Sequence, residues 1–251
     1  MHRKQLTVFL SMLAIYALCA FVSYAFFFKQ MASAAGMPMP DTGMSPLVLG
    51  LVDAGVVLVG YGLLGLAAYW FARKLGLPGI YSEDGNWKSW FVLPLGIGIA
   101  CGLLVVLGDT IFAPINGVGH LPHPPFPLSI NASLSAGIGE EILFRGLVFG
   151  LWAFLLNWVL RRFKGRTLAL WIANILAALA FAAGHLETAV ILTGAKSLAE
   201  LSPILLVEVF LLNGVVGVVT GQRYMKDGLV AAFGVHFWSD MVWHVLWGLF
   251  A

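Results

Sequence analysis

The stretch GIGEEILFRG, residues 137–146, puts Glu140, Glu141 and Arg145 within six positions of one another, with apolar sequence on both sides. Glu141 and Arg145 are spaced i, i+4 with the acid on the N-terminal side, the favourable order for an ion pair along one helix face. Glu140 points about 100° away around an α-helix, and its own i+4 neighbour is Phe144. A carboxylate without a local partner is placed to take a proton from water, which is general-base chemistry. Glu141 and Arg145 then read as a clamp beside it. The alternative is a purely structural network of all three.

Two later stretches add polar groups at the same helical spacing. FAAGH supplies Phe181 and His185, and HFWSD supplies His236 and Asp240, with His244 one turn further along the same face. A histidine near a span end is often interfacial, so His185 alone says little. His236 and Asp240 share one face of an apolar segment, where lipid offers neither of them a partner. Asp53 and Asp109 fall near span ends with water as the expected partner, and Glu208 lies deeper with no assigned role.

The elements that must position these residues follow from composition. The chain of 251 residues is 60% hydrophobic and 10% charged, with a mean hydropathy of +0.92. Soluble domains are nearer half apolar and a quarter charged. The expected fold is therefore all-α, a polytopic transmembrane bundle forming a single integral membrane domain over 1–251. The net charge of +2 carries no nucleic-acid footprint. Cys19 and Cys101 both lie in apolar runs and read as thiols facing lipid or core.

A bilayer core of about 30 Å takes roughly 20 apolar residues as helix. Qualifying runs fall near 6–28, 47–72, 90–113, 132–160, 167–185, 201–221 and 228–250, and a short re-entrant or interfacial helix within 186–198 would make an eighth element. The first run follows Arg3 and Lys4 as a signal peptide would, yet it is too long for a signal core and is expected to stay as a helix. With the N-terminus cytoplasmic, the inner segments hold 11 of the 14 basic residues, Lys29 and Lys196 fall outside, and Arg145 is left within a span. The longest outer segments are 29–46 and 114–131. The second contains GHLPHPPFP, which must be irregular or polyproline-like. It could form a lid or rim, although a stiff connector is the simpler reading, with His120 and His123 in solvent. Trp87, Trp90, Trp243 and Trp247 sit where interfacial anchors do. Gly146 and Gly150 make a helix-packing step.

Charges deep in lipid cost about 3 kcal/mol each on insertion scales, so Glu140, Glu141 and Arg145 must face the interior or a wet cavity. Glu140, His185, and His236 with Asp240 give three spans a polar face each. One shared interior site is the economical explanation.

At these residues the sequence resembles the CPBP family of CAAX-prenyl proteases and bacteriocin-processing proteins, also called Abi proteins. The resemblance rests on EExxxR (Glu140, Glu141, Arg145), FxxxH (Phe181, His185) and HxxxN/D (His236, Asp240), in that order and each on an expected span. It covers roughly 130–245, the expected catalytic core. It implies a helical intramembrane endopeptidase acting on a membrane-proximal or lipidated, prenyl-CAAX-like peptide, with the lipid membrane as its surroundings. By that resemblance Glu140 activates water, His185 assists, His236 and Asp240 hold the oxyanion, and Glu141, Arg145 and Phe181 support the site. Asp240 stands where prenyl proteases carry Asn, and an ionised carboxylate only accepts hydrogen bonds, which leaves His236 as the better oxyanion donor. No cofactor is expected. The alternative is a divalent metal such as zinc held by Glu140, His185, His236, Asp240 and His244. A catalytically silent immunity or scaffold protein of the same fold and a proton-coupled transporter are the other readings. The prenyl-protein resemblance implies cytosolic substrates, whereas the charge count puts Glu140 nearer the outer end of its span, and the two expectations pull apart.

Overall fold

Apolar runs of this length satisfy their backbone in lipid only as helix. The computed structural model describes residues 2–34 and 43–250 and contains no strand among them. Seven helices are long and apolar enough to cross a membrane: Arg3–Ser33, Pro46–Leu75, Lys88–Phe112, Leu128–Phe163, Arg166–Ile191, Pro203–Asp227 and Leu229–Leu249. They are called the first to seventh spans below. The chain is a multi-pass integral membrane protein, as composition requires. Large apolar side chains such as Leu51, Val59, Leu107 and Trp158 stay on the outer surface, where lipid replaces water. Residues 35–42, within the expected outer segment 29–46, lie outside the described residues.

Local sequence sets the helix ends. Ser45 and Ser202 each accept a bond from a first-turn amide, Val48 N and Leu205 N, and each precedes a proline at the first helical position. Gly76 closes the second span at φ 64°, and Gly194 closes the short helix Leu186–Thr193 at φ 69°. That short helix is the eighth element expected within 186–198. It continues the fifth span after a break at His185 instead of crossing the membrane again.

The first span packs on the second and fourth, the third on the sixth and seventh, and the fifth on the fourth and sixth, so that the seventh reaches the first half of the fourth. Small residues bring these helices close. Gly146 and Gly150 meet Ala68 and Phe71 of the second span, as their spacing suggested. Gly98 and Gly102 bring the third span against the backbone at Val235 and Ser239, on either side of His236. A Cβ at Gly102 would meet Ser239 O at 2.7 Å and Val242 Cβ at 2.6 Å. Gly102→Leu is therefore expected to push the seventh span outward, at a cost of about 1–3 kcal/mol. The check is a lower melting temperature in detergent, with Ile99→Leu on the exposed side of that helix unchanged.

Backbone bonds fix the Leu229 end of the seventh span. Leu229 N and Val230 N donate to Gly79 O and Ile80 O at 3.0 and 2.9 Å. Gln5 holds the same turn, accepting from Ile80 N at 2.9 Å and donating to Tyr81 O at 2.9 Å. Gly228 sits between the sixth and seventh spans at φ 92°, with Tyr81 Cα 2.7 Å from where a Cβ would be. Both the dihedral and the close approach require glycine there.

Candidate active site

The fourth span changes winding at the first expected site residue. Leu128–Glu140 is α-helical, and Glu141–Val148 is a π-helix. The seventh span repeats the pattern, with Leu229–Asp240 α-helical and Met241–Leu246 π. The sequence reading assumed α-helix throughout both spans, so this is a correction. The i→i+5 ladder of a π segment re-aims the side chains that follow, and such segments gather at functional sites. Glu141 and Arg145 both turn inward, at 0% and 1% exposure.

Arg145 Nη1 lies 3.2 Å from Glu141 Oε1, close enough for an ion pair, although its angle misses that of a hydrogen bond. The guanidinium carbon stands 4.3 Å from the centroid of the Phe181 ring, a cation–π contact. Phe181 also meets the rings of His185 and His236, with centroids 4.8 and 5.3 Å apart. One aromatic ring thus joins the charged pair to both histidines.

Glu141 has a second partner that spacing did not reveal. His236 Nδ1–H donates to Glu141 Oε1 at 2.9 Å. That bond leaves Nε2 as the nitrogen facing the other acids, 3.9 Å from Glu140 Oε2 and 3.6 Å from Asp240 Oδ2. Glu140 is one-third exposed, at 33%. Its Oε2 is shielded and accepts no hydrogen bond from any described group, and the His236 ring at 3.9 Å is its ion-pair neighbour.

His185 is oriented by the break in its helix. The His185 amide bonds to Ala182 O at 3.1 Å in place of the carbonyl one residue earlier. The freed Phe181 carbonyl accepts from His185 Nδ1 at 2.8 Å. That bond fixes the ring and leaves Nε2 as its open nitrogen.

The residues meet at one cavity of about 570 Å³, whose walls include Glu140, Phe181, His185, His236, Asp240 and His244. Among the described residues its lining includes no Lys or Arg, so a free carboxylate finds no permanently charged partner there. Asn213 of the sixth span also lines it and donates through Nδ2 to Val209 O at 2.9 Å. Sequence reasoning missed Asn213, although a lone amide in the apolar run LLNGVV was a signal of the same kind as Glu208.

The proline-rich segment is more than a connector. Leu121 to Pro125 line the cavity, and His123 Nδ1 lies 3.3 Å from His244 Nδ1. Burial pushes the His123 imidazole below its ordinary range, with His120 acting in the same direction and Asp109 against it. Two expectations are corrected here. His123 is not a solvent histidine, whereas His120 is exposed as expected while pairing with Asp109. Asp109 is fully buried and accepts from Leu121 N at 2.9 Å, so water is not its partner. Trp243 is 8% exposed and packs on His123, and Trp247 packs on His120. Neither is a simple interfacial anchor, because the loop folds back over the end of the seventh span. Glu208 gains a structural role at the same place. Its Oε2 accepts from Asn116 Nδ2 at 2.7 Å, while Asn116 Oδ1 accepts from Val118 N and Gly119 N.

Among the described residues, no group of three or more His, Cys, Asp or Glu side chains is arranged to hold a metal ion. Glu140, His185, His236, Asp240 and His244 share the cavity without forming such a cluster.

Acids and imidazoles from three spans, gathered at a cavity inside an apolar bundle, define a membrane protein with an intramembrane polar site. Residues 122–242, just under half of the chain, are similar to the family described as type II CAAX prenyl endopeptidase Rce1-like. The match takes in all three motifs and supports the CPBP resemblance. Comparisons with curated proteins and with solved structures found no match.

Proposed function

We propose that the chain is an intramembrane endopeptidase and that Glu140 activates the water that attacks the peptide bond. The observation that carries this reading is the shielded Glu140 Oε2, which accepts no hydrogen bond from the described protein and stands on a cavity shared with His185 and His236. Water held by Glu140 loses its proton to the carboxylate as its oxygen adds to the carbonyl carbon. His185, with Nδ1–H donating to Phe181 O, offers its Nε2 lone pair to the same water, and the proton taken by Glu140 passes to the departing amine as the C–N bond breaks. With both ring nitrogens protonated, His236 donates Nδ1–H to Glu141 and turns Nε2–H toward the developing oxyanion. Glu141, Arg145 and Phe181 position these rings, with Phe181 also part of the cavity wall. Residues 130–245 form the catalytic core of the single membrane domain. The absence of Lys and Arg from the cavity wall favours an internal bond over one beside a free C-terminus.

Asp240 keeps the His236 ring in place, 3.6 Å from Nε2. An amide there would add a donor for the oxyanion, so kcat is expected to run Asp240→Asn at or above wild type, with Asp240→Ala lowest. A hundredfold loss in Asp240→Asn would show instead that the carboxylate itself is required.

The reading is tested on purified protein reconstituted in lipid, with membrane-anchored peptides as substrates and cleavage mapped by mass spectrometry. Cleavage is expected to survive chelator treatment, in protein with no stoichiometric metal. Stoichiometric zinc, with activity lost to chelator and restored by zinc, would replace the glutamate mechanism by a metal one. Intact, folded protein that cleaves no peptide across the panel supports the silent member of the family.

A further inference from the structure

The depth of the cavity in each span bears on its entrance. Glu140 lies about 18 Å from the Leu128 end of the fourth span and about 34 Å from its Phe163 end, at 1.5 Å per residue. The same bias holds elsewhere. Val105 lies toward Phe112, His185 toward Ile191, Asn213 toward Pro203, and Asp240 toward Leu249. Every span residue lining the cavity is within about 20 Å of that same side of the bundle. The remaining wall comes from Leu121 to Pro125 and from Thr193, which lie beyond span ends on that side.

Toward the opposite side the bundle is solid. Glu141, Ile142, Arg145 and Phe149 are each at most 1% exposed, and Phe9, Leu75, Tyr224 and Leu229 continue the packed core below them. This solid side carries Arg3, Lys4, Arg73, Lys74, Lys88, Arg161, Arg162, Lys164, Arg166, Arg223 and Lys226. The cavity side carries Lys29 and Lys196. Positively charged ends remain in the cytoplasm.

Resting on the proteolytic reading above, we infer that the cavity opens on the extracytoplasmic side and takes peptide segments presented at the outer leaflet, not the C-termini of cytosolic chains. The proline-rich loop, held at its base by His120–Asp109 and Asn116–Glu208, forms part of that entrance.

Thiol labelling with a membrane-impermeant maleimide tests the access side without needing activity. Single cysteines are placed at Ser135 in the cavity wall, at Ser197 in the outer connector and at Asp84 in the inner one, with Cys19 and Cys101 changed to Ala. In intact cells Ser135→Cys and Ser197→Cys are expected to label, and Asp84→Cys only after permeabilisation. Ala132→Cys, one turn above Ser135, serves where Ser135→Cys fails to accumulate. Labelling of Asp84→Cys in intact cells would overturn the proposal by inverting the chain. Labelling of Ser135→Cys only after permeabilisation, or under neither condition, would overturn it by closing the outer entrance. Repeating the series in Glu140→Gln keeps the two readings apart, because access survives there even if proteolysis never existed.

Discussion

Glu140→Gln is expected to lower kcat for peptide cleavage by about 10²–10⁴-fold, the range that a general base contributes. The exchange keeps shape and hydrogen-bonding capacity while removing the proton acceptor. Glu140 touches the fold lightly. It is one-third exposed and its Oε2 makes no hydrogen bond to the described protein. The melting temperature and yield of the variant should therefore stay near wild type, and KM should move much less than kcat. Turnover that survives in Glu140→Gln would remove Glu140 from water activation. A parallel collapse of melting temperature would make it a structural acid.

Arg145→Met should have the opposite signature, a fold defect that activity merely follows. Arg145 and Glu141 are 1% and 0% exposed, and breaking a buried pair from one side costs about 3–5 kcal/mol because the remaining charge stays uncompensated. The cation–π contact with Phe181 is lost as well. Arg145→Lys is expected to rescue poorly, since a point charge on a flexible stem does not reproduce a planar group over a ring. Glu141→Gln combined with Arg145→Met removes both charges and keeps an acceptor for His236 Nδ1–H. The double variant should melt above the Arg145→Met single variant, as read by thermal unfolding in detergent. If the double is as damaged as the two singles together, the pair is not a coupled unit.

The two predictions separate residues that sequence spacing had already separated. Composition and the positions of the apolar runs were enough for a helical bundle, because lipid permits little else. The motif residues could be picked out as well, since an ionisable group in an apolar run stands against a uniform background. The i, i+4 pairing of Glu141 with Arg145 was legible because both partners lie on one helix.

Relations between spans were beyond the sequence. Glu141 holds His236 from 95 positions away, Phe181 sits under Arg145 and against both histidines, and Asp109 and Glu208 anchor a loop that reads as a linker. The π segments after Glu140 and Asp240 were equally hidden, since intrinsic propensity carries little signal for a change of winding that tertiary packing imposes. The sequence by itself determined which groups are costly in a membrane and which span ends carry the basic residues. Only the tertiary structure decided that their cavity lies away from the ends rich in Lys and Arg, because that depends on which helix faces meet, and hydropathy along one chain does not encode it.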